Sequence, residues 1–120
     1  TRWFGQETFI LADSKGGLDS PAYRDAKAKA ARLAGKEGID RLLAAHDVTM
    51  LVGVTNGPAW TIDLVNGDNF TGPAASQLPA VAGYPHLTVP MGAVEGLPIG
   101  ISFIGQQWSD AEVLAVGHAY

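Results

Sequence analysis

The sequence predicts an α/β fold, and two changes of pattern carry that reading. Residues 21–46 repeat apolar side chains at helical spacing on a Lys- and Arg-rich background, whereas residues 48–54 (VTMLVGV) form an unbroken, largely β-branched run. Two more short apolar stretches, 86–90 and 97–105, are bounded by glycine and proline, and a helix-opening pattern follows them.

The elements follow in order. The opening TRWFGQETFILA sets Trp3, Phe4, Ile10 and Leu11 at helical spacing, and Gly16 and Gly17 end that helix. Asp19 or Ser20 caps a second helix with Pro21 at a tolerated early position. Tyr23, Ala26, Ala30 and Leu33 form its stripe, which predicts one buried face and one wet Lys/Arg face until Gly35 stops it. Ile39, Leu42, Leu43 and His46 mark a third helix. The run 48–54 reads as a strand covered on both faces, usually a parallel one. Residues 55–73 read as an irregular loop, and 74–82 as a short helix interrupted or ended near Pro79. HLTVP (86–90) is a strand and GAVEG its turn. In the third strand, 97–105, Ile99, Ile101 and Phe103 face one way, while Gly100 and Ser102 make a small-residue face that a neighbour can approach closely. Ser109 and Glu112 have capping-box spacing and open a last helix running to Tyr120.

Composition narrows the class. With 120 residues, 47% hydrophobic and 17% charged, the chain is long enough for one core, with no linker, repeat or low-complexity segment; residues 1–120 are expected to be a single domain or a fragment of one. The net charge of −4 argues against a partner that is a nucleic acid. No apolar run reaches the roughly 18 residues a membrane span needs. Cysteine is absent, which removes thiolate chemistry and cysteine metal sites. Without a charged-then-apolar leader the expected location is the cytoplasm. All eight Lys and Arg fall between Arg2 and Arg41, among six acids, and the remaining six acids follow with no Lys or Arg. The first third therefore reads as solvated helix and the rest as buried sheet and loops.

Candidate chemistry is sparse. No serine sits in the G-x-S-x-G context of a hydrolase elbow, so Ser14, Ser20, Ser76, Ser102 and Ser109 read as turn, cap or strand residues. Ser76, His86 and Asp63 are one conceivable serine–histidine–acid trio among the many that any chain of this size offers. His46 reads as a half-buried packing residue; neither it nor His86 or His118 has metal-ligand spacing, and no cofactor is expected. The stretch 63–69 lacks the acid spacing of a calcium loop and reads as a turn around Asn66–Gly67. Phosphate-binding glycine motifs are missing. Trp60, beside Pro58, is the aromatic best placed to line a cleft.

The stretch AVAGYPHLTVPMG (80–92), followed by GLPIGISFIG (96–105) and SDAEVLAVGHAY, resembles the C-terminal part of the amidase signature family. The segment from Asp47 to Val54 and the TNGPAW after it are similar to that family's buried strand and pocket loop. The resemblance implies an α/β/α layered fold with a mixed sheet, and hydrolysis of an amide C–N bond by a Ser–cis-Ser–Lys triad on a glycine- and serine-rich signature. No run here matches that signature, and Lys15 beside Gly16–Gly17 lacks the serines, so no catalytic residue carries over. The chain is expected to be a C-terminal piece of a larger amidase, inactive alone, whose partner in the full enzyme is a small amide substrate. Thr55, Asn56, Trp60 and Asp63 would form one wall of its pocket; the alternative is that this loop is only an ordered connection. A glutamine-hydrolysing amidotransferase component lies within the same resemblance, and a free-standing α/β module that binds a ligand or partner lies outside it. A piece of a sheet would expose edge strands and self-associate.

Overall fold

A computed structural model describes residues 5–70 and 72–120. The expected helix start at Trp3 and Phe4 lies outside the described residues. Within them the order is α1 (Glu7–Asp13), α2 (Pro21–Ala34), a π-helical segment (Gly35–Asp40), α3 (Arg41–His46), β1 (Leu51–Val54), α4 (Gln77–Ala82), β2 (His86–Val94), β3 (Leu97–Ile104) and α5 (Asp110–Ala119). None of these helices is long and apolar enough to cross a membrane.

The three strands form one sheet in the order β1-β3-β2, and both pairings are antiparallel. The parallel reading of 48–54 is thereby corrected. A continuous apolar run does not set strand direction, and the β2–β3 hairpin returns β3 against β1; nor is the strand covered on both faces, since Val52 is 60% exposed. The hairpin turn is also tighter than GAVEG suggests. β2 runs on to Val94, which pairs with Leu97, and only Glu95 and Gly96 turn, with φ of 49° and 78°. Two consecutive left-handed residues make the type I′ geometry that matches the twist of the flanking strands. One residue, Met91, bulges out between the Pro90–Gly100 and Gly92–Ile99 pairs.

This register sorts side chains onto two faces. Leu51, Gly53, His86, Thr88, Gly100, Ser102 and Ile104 share one face; Val52, Val54, Leu87, Val89, Ile101 and Phe103 share the other. On the first face, Ile39 and Leu43 bury against Ile104, with Leu51, Ala75, Ala82 and Tyr84 packed around them. Helix α5 covers part of the second face through buried Val113, through Gly117, where a Cβ would collide with Leu87, and through Tyr120, edge-on to Phe103 at 5.7 Å. Helices on both sides of a sheet give the α/β layering that the sequence predicts.

The helical third departs from expectation in three places. Gly35 does not stop α2; the chain continues through a π-helical turn into α3. Gly38 permits that widening, since a Cβ there would lie 2.6 Å from the Leu33 carbonyl oxygen. The buried positions are Ala34, Gly35, Ile39 and Leu43, whereas the whole expected stripe of α2, Tyr23, Ala26, Ala30 and Leu33, is exposed, and so are Leu42 and His46. The half-buried reading of His46 is corrected accordingly. Ser20 caps α2 as expected, its Oγ accepting from the Tyr23 N–H at 3.4 Å. Ser109 precedes α5 but makes no capping box: its hydroxyl turns back to the Gln106 carbonyl at 2.8 Å.

Candidate functional site

The small-residue face of β3 holds the most connected polar group among the described residues. Ser102 stands opposite Thr88 of β2 on one side and Gly53 of β1 on the other, and Thr55 follows β1 directly. This alternation brings four side chains from three strand ends into one row. The Thr55 hydroxyl donates to Thr88 Oγ1 at 3.3 Å, and Ser102 Oγ donates to Thr55 Oγ1 at 2.8 Å. His86 Nε2 lies 2.6 Å from Ser102 Oγ. Ser102 is 0% exposed, so its hydroxyl depends on these two bonds, and no buried side-chain polar atom among the described residues is left without a partner.

A serine beside a histidine invites comparison with a nucleophile and its base. The burial of Ser102 speaks against that role. Ser102 Oγ is shared between Thr55 Oγ1 and His86 Nε2, and no part of the side chain reaches solvent. No described carboxylate hydrogen-bonds to His86, although Asp110 lines the same cavity of about 160 Å³. The trio Ser76, His86 and Asp63 is not assembled: His86 pairs with Ser102, and Asp63 with its own loop.

Of the residues expected to line a pocket, Thr55 sits at the loop's neck. Its N–H donates to the Gly100 carbonyl at 2.8 Å and its carbonyl accepts from Ala75 at 3.2 Å, which closes the loop on itself. Asn56 follows on the neck and is half-buried. Trp60 packs edge-on to Phe70 at 5.4 Å and donates Nε1–H to Asp68 at 3.2 Å, while still 39% exposed. Asp63 receives the N–H groups of Val65 and Asn66 at 2.8 and 2.9 Å and the Asn66 amide at 2.7 Å. The Asn66 backbone and side-chain donors, then Val65, hold its carboxyl below the ordinary carboxylate range. Asp63 therefore shapes the loop around Asn66–Gly67, as the turn reading expects. Sequence reasoning passed over Ser102, His86 and Thr88 as a group. The signal that finds them is the pairing register, which sequence spacing alone does not supply.

A half-open groove of about 640 Å³ lies between residues 48–50 and α5, lined by Val48, Met50, Gln106, Ser109, Glu112 and Val116. It carries one carboxylate and no nucleophile–base pair, and it lies apart from the Ser102 row. No group of three or more His, Cys, Asp or Glu among the described residues is placed to hold a metal ion.

The amidase family model matches residues 14–114 of this chain. The chain belongs to the amidase family. Among solved structures, the native peptide amidase from Stenotrophomonas maltophilia is 47% identical with a TM-score of 0.86, over 98% of this chain and 23% of that one. A peptide amidase in complex with the competitive inhibitor chymostatin is 49% identical with a TM-score of 0.92, over 98% of this chain and 24% of that one. Among curated relatives, a glutamyl-tRNA(Gln) amidotransferase component from Exiguobacterium sibiricum is 36% identical, over 84% of this chain and 22% of its own length. The chain thus spans about a quarter of the amidases it matches. In family terms, the stretches 80–92 and 96–105 are α4 with β2 and the β3 return strand, and the polar row is built on them.

Proposed function

We propose that this chain is the C-terminal part of an amidase whose full-length form hydrolyses an amide C–N bond. On this reading residues 1–120 are framework: the sheet backs the catalytic centre, loop 55–75 forms one wall of the substrate pocket through Thr55, Asn56 and Trp60, and Asp63 keeps that wall in shape. The nucleophile belongs to residues outside the chain. The observation that carries the reading is the pairing of a family match over most of the chain with a serine–histidine contact whose serine is sealed from solvent.

Peptide amides are the substrate class we favour over glutamine. Identity to the peptide amidases reaches 49% over nearly the whole chain, against 36% over a shorter span for the amidotransferase component. The full-length protein is expected to release ammonia from a peptide amide, and the isolated 120-residue chain to release none. Turnover by the isolated chain would overturn the framework reading, and a preference for glutamine would overturn the substrate class. In the full-length protein Trp60→Ala is expected to raise KM about tenfold, because a packed, half-exposed indole is lost from the wall. Unchanged kinetics across several amides would remove the pocket role.

A further inference from the structure

Loop 55–75 leaves and rejoins the sheet at one residue. Thr55 bonds Gly100 through its N–H and Ala75 through its carbonyl, and Gly57 and Gly72 stay close enough that a Cβ on Gly72 would lie 3.4 Å from the Gly57 Cα. Beyond this neck the loop is held by its own contacts, Trp60 on Phe70 and Asp68, and Asp63 on Val65 and Asn66. Those contacts shape the loop but do not aim it. The side chain that ties the neck to the sheet is that of Thr55, bonded to Ser102 and Thr88, and Ser102 is in turn held by His86.

We propose that His86, Ser102 and Thr55 form a positioning relay that fixes the direction in which loop 55–75 leaves the sheet, and through it the placement of Trp60. The proposal deepens the pocket reading above and rests on it. Glycine makes the room at position 100: a Cβ there would come within 2.7 Å of Thr88 Cγ2 and 3.0 Å of Thr55 Oγ1. Larger residues there would push the threonine hydroxyls out of line. Removing the Ser102 hydroxyl takes away the shared partner of His86 Nε2 and Thr55 Oγ1, so Thr88 is left as the side-chain tie of Thr55 and the neck is held more loosely. Ser102 and His86 are positioning residues; neither touches substrate.

The test uses the full-length protein and two independent readouts: the rate of limited proteolysis within residues 55–75, and kcat and KM on a peptide amide. Ser102→Ala and Thr55→Val are each expected to speed cleavage in the loop and raise KM about tenfold, with kcat held within about twofold. Thr55→Ser keeps the hydroxyl and is expected to restore the cleavage rate. If Ser102→Ala fails to fold, the Thr55→Val and Thr55→Ser pair still decides, since Thr55 is only half-buried. Cleavage unchanged in the folded variants overturns the relay. A collapse of kcat in Ser102→Ala at unchanged KM also overturns it, because that is the mark of a nucleophile. Faster cleavage with unchanged KM upholds the relay and overturns the pocket reading.

Discussion

Tyr84 ties the helical layer to the sheet through one hydroxyl. Its OH donates to Asp40 Oδ2 at 2.8 Å, and its ring lies so close to Gly35 that a Cβ there would be 3.1 Å from the hydroxyl. Burial, then the bond to Asp40 and its negative charge, raise the phenol above its ordinary value of 10.0. A raised acid favours the protonated, folded form. Its contribution is complete below pH 10 and is lost as the pH climbs through the raised folded value. Thermal melts of the full-length protein should show Tyr84→Phe about 1 kcal/mol less stable at neutral pH, from the lost hydrogen bond, and less sensitive than wild type to pH above 10. Parallel alkaline curves for the two proteins would show that Asp40 does not hold the phenol. Nothing in the residue types signals this pair, because residues 40 and 84 meet only once the π-helical turn has rotated α3 onto the sheet. The same holds for His86 and Ser102, 16 residues apart and joined by a hairpin register. Asp63 was more legible, since its partners lie two and three residues on, within reach of a local turn.

At the scale of elements, legibility follows how local the cause is. The Ser20 cap, the strand alternation that puts Ile101 and Phe103 opposite Ser102, and the glycine-rich turn were all written in neighbouring residues. The strand direction of β1 and the π-helical turn were not, since both depend on what packs against them. The β2–β3 turn offers a direct test of local cause. Glu95 holds φ at 49° with a side chain that gains nothing from the left-handed region, whereas asparagine tolerates it and Asn-Gly is the preferred type I′ pair. Glu95→Asn should therefore stabilise the full-length protein by about 1 kcal/mol, read as a higher Tm with unchanged kcat and KM. A lower Tm would mean that the Glu95 side chain makes a contact elsewhere in the assembled enzyme that outweighs the backbone cost. Gly38 is the opposite case. Its φ is ordinary for a helix, yet the Leu33 carbonyl occupies the place of its Cβ, so local strain is set by the widened turn and not by chain chirality.

The whole chain has more surface than its mass calls for. A folded monomer of 12.5 kDa has roughly 6,200 Å² of accessible surface, whereas this one has 9127 Å². Its radius of gyration of 17.9 Å compares with about 13.6 Å for a compact domain of this length. Exposed apolar side chains contribute to the excess surface: Phe9, Ile10 and Leu11 of α1, Val52 on edge strand β1, and Ile62 and Val65 in the loop, the last two about 90% exposed. The excess is larger than the roughly 1,600 Å² that a stable protein–protein interface buries, which fits the proposal that these residues pack against further parts of a larger amidase. The isolated chain is expected to cover that surface by pairing with copies of itself through the exposed strand edge and apolar faces. Sedimentation velocity of the isolated 120-residue chain should give a dimer or larger species, with the apparent mass rising with concentration. Val52→Lys places a charge on the β1 edge and should shift that distribution toward monomer, since edge charges block strand addition. A concentration-independent monomer with a high, cooperative melting transition would instead mark these residues as a body able to stand alone, and the framework reading of the chain would lose its physical basis.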